Sequence, residues 1–212
     1  FRALMSVNKL EKMSLEERTE TVAIFYDFLS DYLDLPETSL PIFDEAELDS
    51  KDYDKIASSL RDFWKLDENP IKNMVNLLEE KGIVLSTVRS DSKQIDAFTQ
   101  THRNGHICVI IDDAKTSMAR RNFNLAHELG HIILHSNVSL VEELDKDKKR
   151  QLEHEADGFA ASFLLPKMSF LKDIKNPTNL DEYILLKRKW HVSIFAMIIR
   201  AQRLGLLNEK EY

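Results

Sequence analysis

The sequence is poor in the residues that break chains or tie them together. Its 212 residues include five Gly and five Pro, too few for long flexible linkers, and the balance favours helices. A single cysteine, Cys108, excludes an internal disulfide and fits a reducing cytoplasm. No apolar run nears the roughly 18 residues of a membrane span. The start, FRALMSVNKL, lacks the charged, apolar and small-residue zones of a signal peptide. Positive charge is also in deficit, with 29 Lys and Arg against 36 Asp and Glu and a net charge of −7. No global positive field draws such a chain to nucleic acid or anionic lipid. What remains is an ordinary globular composition, 43% hydrophobic and 31% charged, of a length for one large domain or one domain with an appendage.

Three helices are expected first. Ser14-Leu15-Glu16-Glu17 reads as a capping box, with Val22, Phe25, Phe28, Leu29 and Leu33 at helical spacing and Pro36 as the stop. A second helix over 51–65 carries Tyr53, Ile56, Leu60, Phe63 and Trp64. Asn69-Pro70 reads as the cap and first turn of a third, ending at Gly82. The period then changes. Segments 82–90, 94–102 and 106–113 read as strands. SDSK (90–93) and Asn104-Gly105 supply turns, so neighbours in sequence are expected to pair antiparallel. Two long helices follow, about 117–135 and 146–165, the second stopped by Pro166. A further pair spans 180–205 and is broken at Trp190–Ser193. The division expected is an N-terminal helical segment (1–49), a core (50–170) and a C-terminal helical part (171–212).

HELGH, residues 127–131, carries the chemistry. His127 and His131 lie one turn apart on one helix face, roughly 6 Å along the axis, so both imidazoles can converge on one ion. Nitrogen donors at this spacing suit Zn²⁺, with Mn²⁺ or Fe²⁺ as substitutes. Glu128 is rotated about 100° from His127, beside the ion rather than in line with it, which suits a general base. Gly130 sacrifices about 1 kcal/mol of helix propensity relative to Ala, as expected where something approaches the backbone. The flanks are apolar, so these polar groups would be costly to bury without a task. His135 lies a turn beyond His131 and reads as a helix-end residue near the last carbonyls.

A hydrolytic site of this kind needs a third protein donor. Residues 151–166 offer Glu153, His154, Glu155 and Asp157. Glu153, Ala156, Asp157, Ala160 and Leu164 share a face of small residues suited to close helix packing. Glu155, Gly158 and Ser162 form a more polar stripe, read as wet. Periodicity therefore favours Glu153 over Glu155. Asp157, one turn on, is placed to accept a hydrogen bond from the outer ring nitrogen of a ligating His.

RRNFNLAHELGHIILH (120–135) followed by EHEADGFAASFLLP (153–166) resembles the ImmA/IrrE family of zinc metallopeptidases. IDAF (95–98) and KRKWHVSIFAMIIRAQRLGL (187–206) are similar to it too, so the resemblance covers roughly 50–206. It implies an α+β, zincin-like fold with a small, mostly antiparallel sheet. It also implies Zn²⁺ held by His127, His131 and Glu153, with Glu128 as base. The implied substrate is a helix-turn-helix repressor, cut to relieve repression of stress or mobile-element genes. Some members carry an N-terminal helix-turn-helix domain, and a start without Met is expected of a chain trimmed of one.

Other readings compete. Residues 186–206 have a helix-turn-helix look, with Lys187, Arg188, Lys189, Arg200 and Arg203 as phosphate contacts. The apolar Ile194, Phe195, Met197, Ile198 and Ile199 and the net charge argue against direct DNA binding. A metal-containing sensor domain without catalysis is the other alternative. His154, Arg120 and His102 are the candidate oxyanion donors, and the hairpin 94–111 offers an edge to an extended peptide.

Overall fold

The computed structural model describes residues 9–88, 97–102, 104–112, 117–136 and 144–208. Among them are nine helices and one three-stranded sheet. Four helices precede the strands: α1 (Lys9–Ser30), α2 (Glu45–Asp49), α3 (Tyr53–Phe63) and α4 (Met74–Glu80). The strands are β1 (Val84–Val88), β2 (Ala97–Thr101) and β3 (Ile107–Asp112). Then come α5 (Met118–Leu134), α6 (Lys146–Leu164), α7 (Lys167–Asp173), α8 (Leu180–Trp190) and α9 (Ile194–Arg203). No helix among the described residues is long and apolar enough to cross a membrane. The expected α+β class holds.

The sheet is mixed, in the order β1-β3-β2. β1 runs parallel to β3, Val84 opposite Cys108 through Val88 opposite Asp112. β2 runs antiparallel to β3, Ala97 opposite Ile111 through Thr101 opposite Ile107. The expected β1–β2 hairpin is thus replaced by an inserted β3, and its SDSK turn lies outside the described residues. The reason is burial. Ile107 to Ile111 are all buried, and a strand apolar on both faces belongs in the centre. β1 and β2, which carry Ser86, Thr87, Thr99, Gln100 and Thr101, take the edges.

Each face of the sheet is covered. Ile107, Val109 and Ile111 join the main core with Leu77, Leu78, Leu125, Leu129 and Phe163. Across the other face lies α1, through Leu15 against Phe98 and Ile110 and Ala23 against Val84 and Cys108. The packed face of α1 is rotated from the expected one, and of the expected residues Val22 is half-buried against Ala23, Val84 and Cys108. Phe25, Phe28 and Leu33 are exposed, while Leu15, Thr19 and Ala23 are buried. Ser14 lies inside the helix and caps nothing at its start. Polar groups decide the side: Thr19 Oγ1 donates to Gln100 Oε1 at 2.5 Å, Glu20 pairs with His102 at 2.8 Å and Asp27 with His106 at 2.6 Å. Phe63 of α3 is likewise exposed, while Ile56, Leu60 and Trp64 are buried as expected.

α4 begins four residues later than expected. Its cap is Asn73, whose side chain accepts from Val75 N and Asn76 N. The displaced segment wraps a buried arginine: Arg61 donates to Asp67 O at 2.7 Å, Asn69 O at 2.5 Å and Phe163 O at 2.7 Å. Gly82 does end this unit, at φ +74°. Ser117 caps α5 and Pro166 follows α6 as expected. α5 and α6 pack directly. A methyl at Gly130 would sit 3.1 Å from Ala156 Cα and 3.2 Å from Phe159 Cδ1, which accounts for the glycine.

The stripe expected to be wet is covered by α3 and α9. A methyl at Gly158 would meet the Tyr53 ring at 2.6 Å, and Arg200 Nη1 donates to buried Ser162 at 3.1 Å. Arg200 is itself buried and paired with Asp54. It is therefore not offered to a phosphate, and Lys189 pairs with Asp173 at 2.6 Å. Met197 and Ala201 seat α9 in the core, while Lys187, Arg188 and Arg203 are exposed.

Candidate metal centre

α5 and α6 bring the donors together. His127, Glu128 and His131 are 2%, 1% and 1% exposed. The two Nε2 atoms face each other at 3.0 Å. Glu153 on α6 closes the group, its carboxylate oxygens 3.5 Å from His127 Nε2 and 3.5 Å from His131 Nε2. One donor atom from each of the three lies within 4.8 Å of the others. The helical periodicity that favoured Glu153 thus coincides with its position, and Glu155 lies elsewhere.

The outer bonds of the rings determine what the inner atoms present. His127 Nδ1 donates to Asp157 Oδ1 at 2.7 Å, the partner expected. In the neutral ring this leaves a lone pair on Nε2. His131 Nδ1 meets His135 Nδ1 at 2.9 Å, and His135 Nε2 donates to Glu155 Oε2 at 3.0 Å. A carboxylate has no proton to give, so His135 accepts at Nδ1 and His131 donates from its own. Its Nε2 therefore also carries a lone pair. Two lone pairs and a carboxylate converge, a set of acceptors that calls for a cation between them. The residues present fit a divalent metal.

The same electrostatics set the protonation of the metal-free group. Burial opposes a charge on His127, yet the bonds to Asp157 and Glu153 and the charge of Glu128 raise its pKa from 6.5 to about 9. Burial depresses His131 to about 4. The rings thus share one proton, held on the His127 side. Burial works to raise Glu153, but hydrogen bonds to His127 and His131 hold it well below the usual carboxylate range. Burial works against ionisation of Glu128, and the charge held on His127 and a hydrogen bond from Thr99 work the other way. That bond, Thr99 Oγ1 to Glu128 Oε2, is 2.5 Å. Thr99 escaped the sequence reading, although strand alternation places Ala97, Thr99 and Thr101 on the face toward α5.

Other expected residues lie apart. His102 Nδ1 bonds Glu20 on the α1 side of the sheet. His154 is exposed, in a polar depression with Lys51, Arg150 and Arg203. Arg120 is exposed in the first turn of α5. His135 is buried, with its ring between His131 and Glu155 rather than on helix-end carbonyls. A groove of about 580 Å³ opens beside the donors, lined by Thr99, Thr101, His131 and apolar residues including Leu40, Phe43 and Ile132.

The family model of the IrrE N-terminal-like domain, peptidase family M78, matches residues 78–202, more than half of the chain and all of the donor residues. The chain belongs to this family. The matched M78 domain starts within α4 and ends within α9, so α1, α2 and α3 precede it. Among solved structures, a Mycobacterium tuberculosis transcriptional regulator shares the fold, with a TM-score of 0.51 and 16% identity. The similarity covers 73% of this chain and 58% of that one. A search of curated proteins gives no match.

Proposed function

We propose that the chain is a zinc-dependent endopeptidase that cuts a helix-turn-helix repressor and so relieves repression of stress or mobile-element genes. The observation that carries this reading is the convergence of two imidazole Nε2 atoms and the Glu153 carboxylate, with the buried Glu128 beside them. His127, His131 and Glu153 would hold the metal. Bound there, the ion polarises a peptide carbonyl and lowers the pKa of a water molecule toward about 7.

The remaining chemistry belongs to the chain. Thr99 occupies Oε2 of Glu128, leaving Oε1 to take a proton from the attacking water and pass it to the leaving amine. β2 is an edge strand on the side of the groove. An extended peptide can add to that edge through main-chain hydrogen bonds and place an apolar side chain among Leu40, Phe43 and Ile132. The family membership supports a peptidase. That the structural relative is a transcriptional regulator supports a link to transcription, and also the second reading, a metal-containing sensor without catalysis.

Glu128→Gln separates the two. It keeps the shape and the Thr99 bond but removes the base. Candidate repressors incubated with zinc-loaded protein should be cleaved, with Glu128→Gln inactive at unchanged zinc content. Equal behaviour of wild type and Glu128→Gln in a repressor-derepression assay would favour the sensor.

A further inference from the structure

The donor His131 is oriented by a chain of side chains that reaches the protein surface. Its outer nitrogen meets His135 Nδ1 at 2.9 Å, and His135 Nε2 donates to Glu155 Oε2 at 3.0 Å. The other oxygen of Glu155 accepts from Gln151 Nε2 at 2.7 Å and pairs with Lys51 Nζ at 2.8 Å. Side-chain exposure falls steadily inward, from 50% at Lys51 to 14% at Glu155, 3% at His135 and 0% at His131. We propose that His135 and Glu155, with Lys51 behind them, are positioning residues that set the tautomer and ring angle of His131. The inference rests on the metal-site reading.

Proton accounting gives the chain one direction. Lys51 can only donate, and so can the Gln151 amide nitrogen. Between them they hold Glu155 as an acceptor. His135 must then carry its proton on Nε2 and accept on Nδ1, and His131 must donate from Nδ1. Only that tautomer points a lone pair at His127 Nε2 and Glu153. Without Glu155, His135 can turn its proton inward, and His131 then loses its acceptor and its reason to keep Nε2 bare. A residue serving only to end α5 would need neither a buried ring nor bonds at both nitrogens.

The outer end of the chain is built at some cost. Lys51 has φ +53°, a left-handed conformation unfavourable for a side chain with a Cβ. It sits in the turn between α2 and α3, closed by Lys51 N to Leu48 O at 3.3 Å. That turn directs the ammonium onto Glu155. His127 has a shorter support, Asp157 alone. The outer supports of the two imidazoles are thus separate, and among the described residues the His131 arm runs through the turn between α2 and α3, ahead of the matched domain.

The test uses ¹⁵N-histidine NMR of the zinc-free chain together with zinc affinity by chelator competition. In wild type, His131 should carry its proton on Nδ1. Glu155→Ala should mix the two His131 tautomers and weaken zinc binding roughly 10–100-fold. Glu155→Gln, whose oxygen is claimed by the Lys51 and Gln151 donors and whose amide nitrogen then faces His135, should shift the His131 proton toward Nε2 and weaken zinc binding as well. A thermal melt confirms that each variant is folded. A pure Nδ1–H tautomer and wild-type affinity in Glu155→Ala would overturn the relay. If wild type itself binds no zinc, the metal-site reading falls, and the tautomer spectra of the zinc-free proteins still decide the relay.

Discussion

Gly130→Ala puts a methyl where α5 and α6 cross, and two effects then oppose each other. Alanine gains about 1 kcal/mol of helix propensity over glycine. The new carbon, however, lies 3.1 Å from Ala156 Cα, 3.1 Å from Ala156 O and 3.2 Å from Phe159 Cδ1, against roughly 3.5–4.0 Å for relaxed carbon contacts. Overpacking of this kind costs about 1–3 kcal/mol. The groups that must yield are mostly backbone of α6, not the tip of a flexible side chain, so the steric cost prevails. The net loss is about 1 kcal/mol, or a Tm lower by about 2–4 °C. Relief by separation moves Glu153 away from His127 and His131, because the carboxylate rides on α6 and the imidazoles on α5. Zinc affinity should therefore fall together with stability. Differential scanning calorimetry of the chelated protein and chelator competition measure both. A Tm raised by the propensity gain, with wild-type zinc affinity, would refute the claim that this crossing sets the donor geometry.

Arg61→Met should destabilise the chain by about 3 kcal/mol in urea unfolding, because three backbone carbonyls at Asp67, Asn69 and Phe163 lose their donor; a loss below about 1 kcal/mol would show that water replaces the guanidinium freely. Zinc binding near pH 7.5 should release about one proton, since the metal-free rings hold one on His127, whose pKa is raised to about 9. The sign follows: affinity rises with pH until about 9 and then levels, while the proton's own contribution to metal-free stability is complete below pH 6.5 and is lost as pH rises through about 9. Calorimetry in buffers of different ionisation enthalpy counts the protons, and a count of zero would contradict the shared-proton arrangement.

What could be read without a structure lies within single helices. The i, i+4 spacing of His127 and His131 guarantees a common face within a helix, because the 3.6-residue period is set locally by backbone dihedrals and hydrogen bonds. The same rule places Glu153 and Asp157 together on α6, and Ser117 and Pro166 mark real ends. Tertiary contacts decided the rest. α1 turned its larger apolar side chains outward because Thr19, Glu20 and Asp27 found partners on β2 and the hairpin beyond it. β3 displaced β1 from β2 because the strand buried on both faces takes the centre. The support of His131 is drawn from α5, α6 and the α2–α3 turn at once, through Lys51, Glu155 and His135. Thr99 reaches Glu128 only because the sheet lies against α5. The sequence alone thus determined which candidate residues share a helix face, since their spacing follows from the helix. The partners that fix the protons on their donor atoms come from other elements, and only the packing of those elements decides which partners meet.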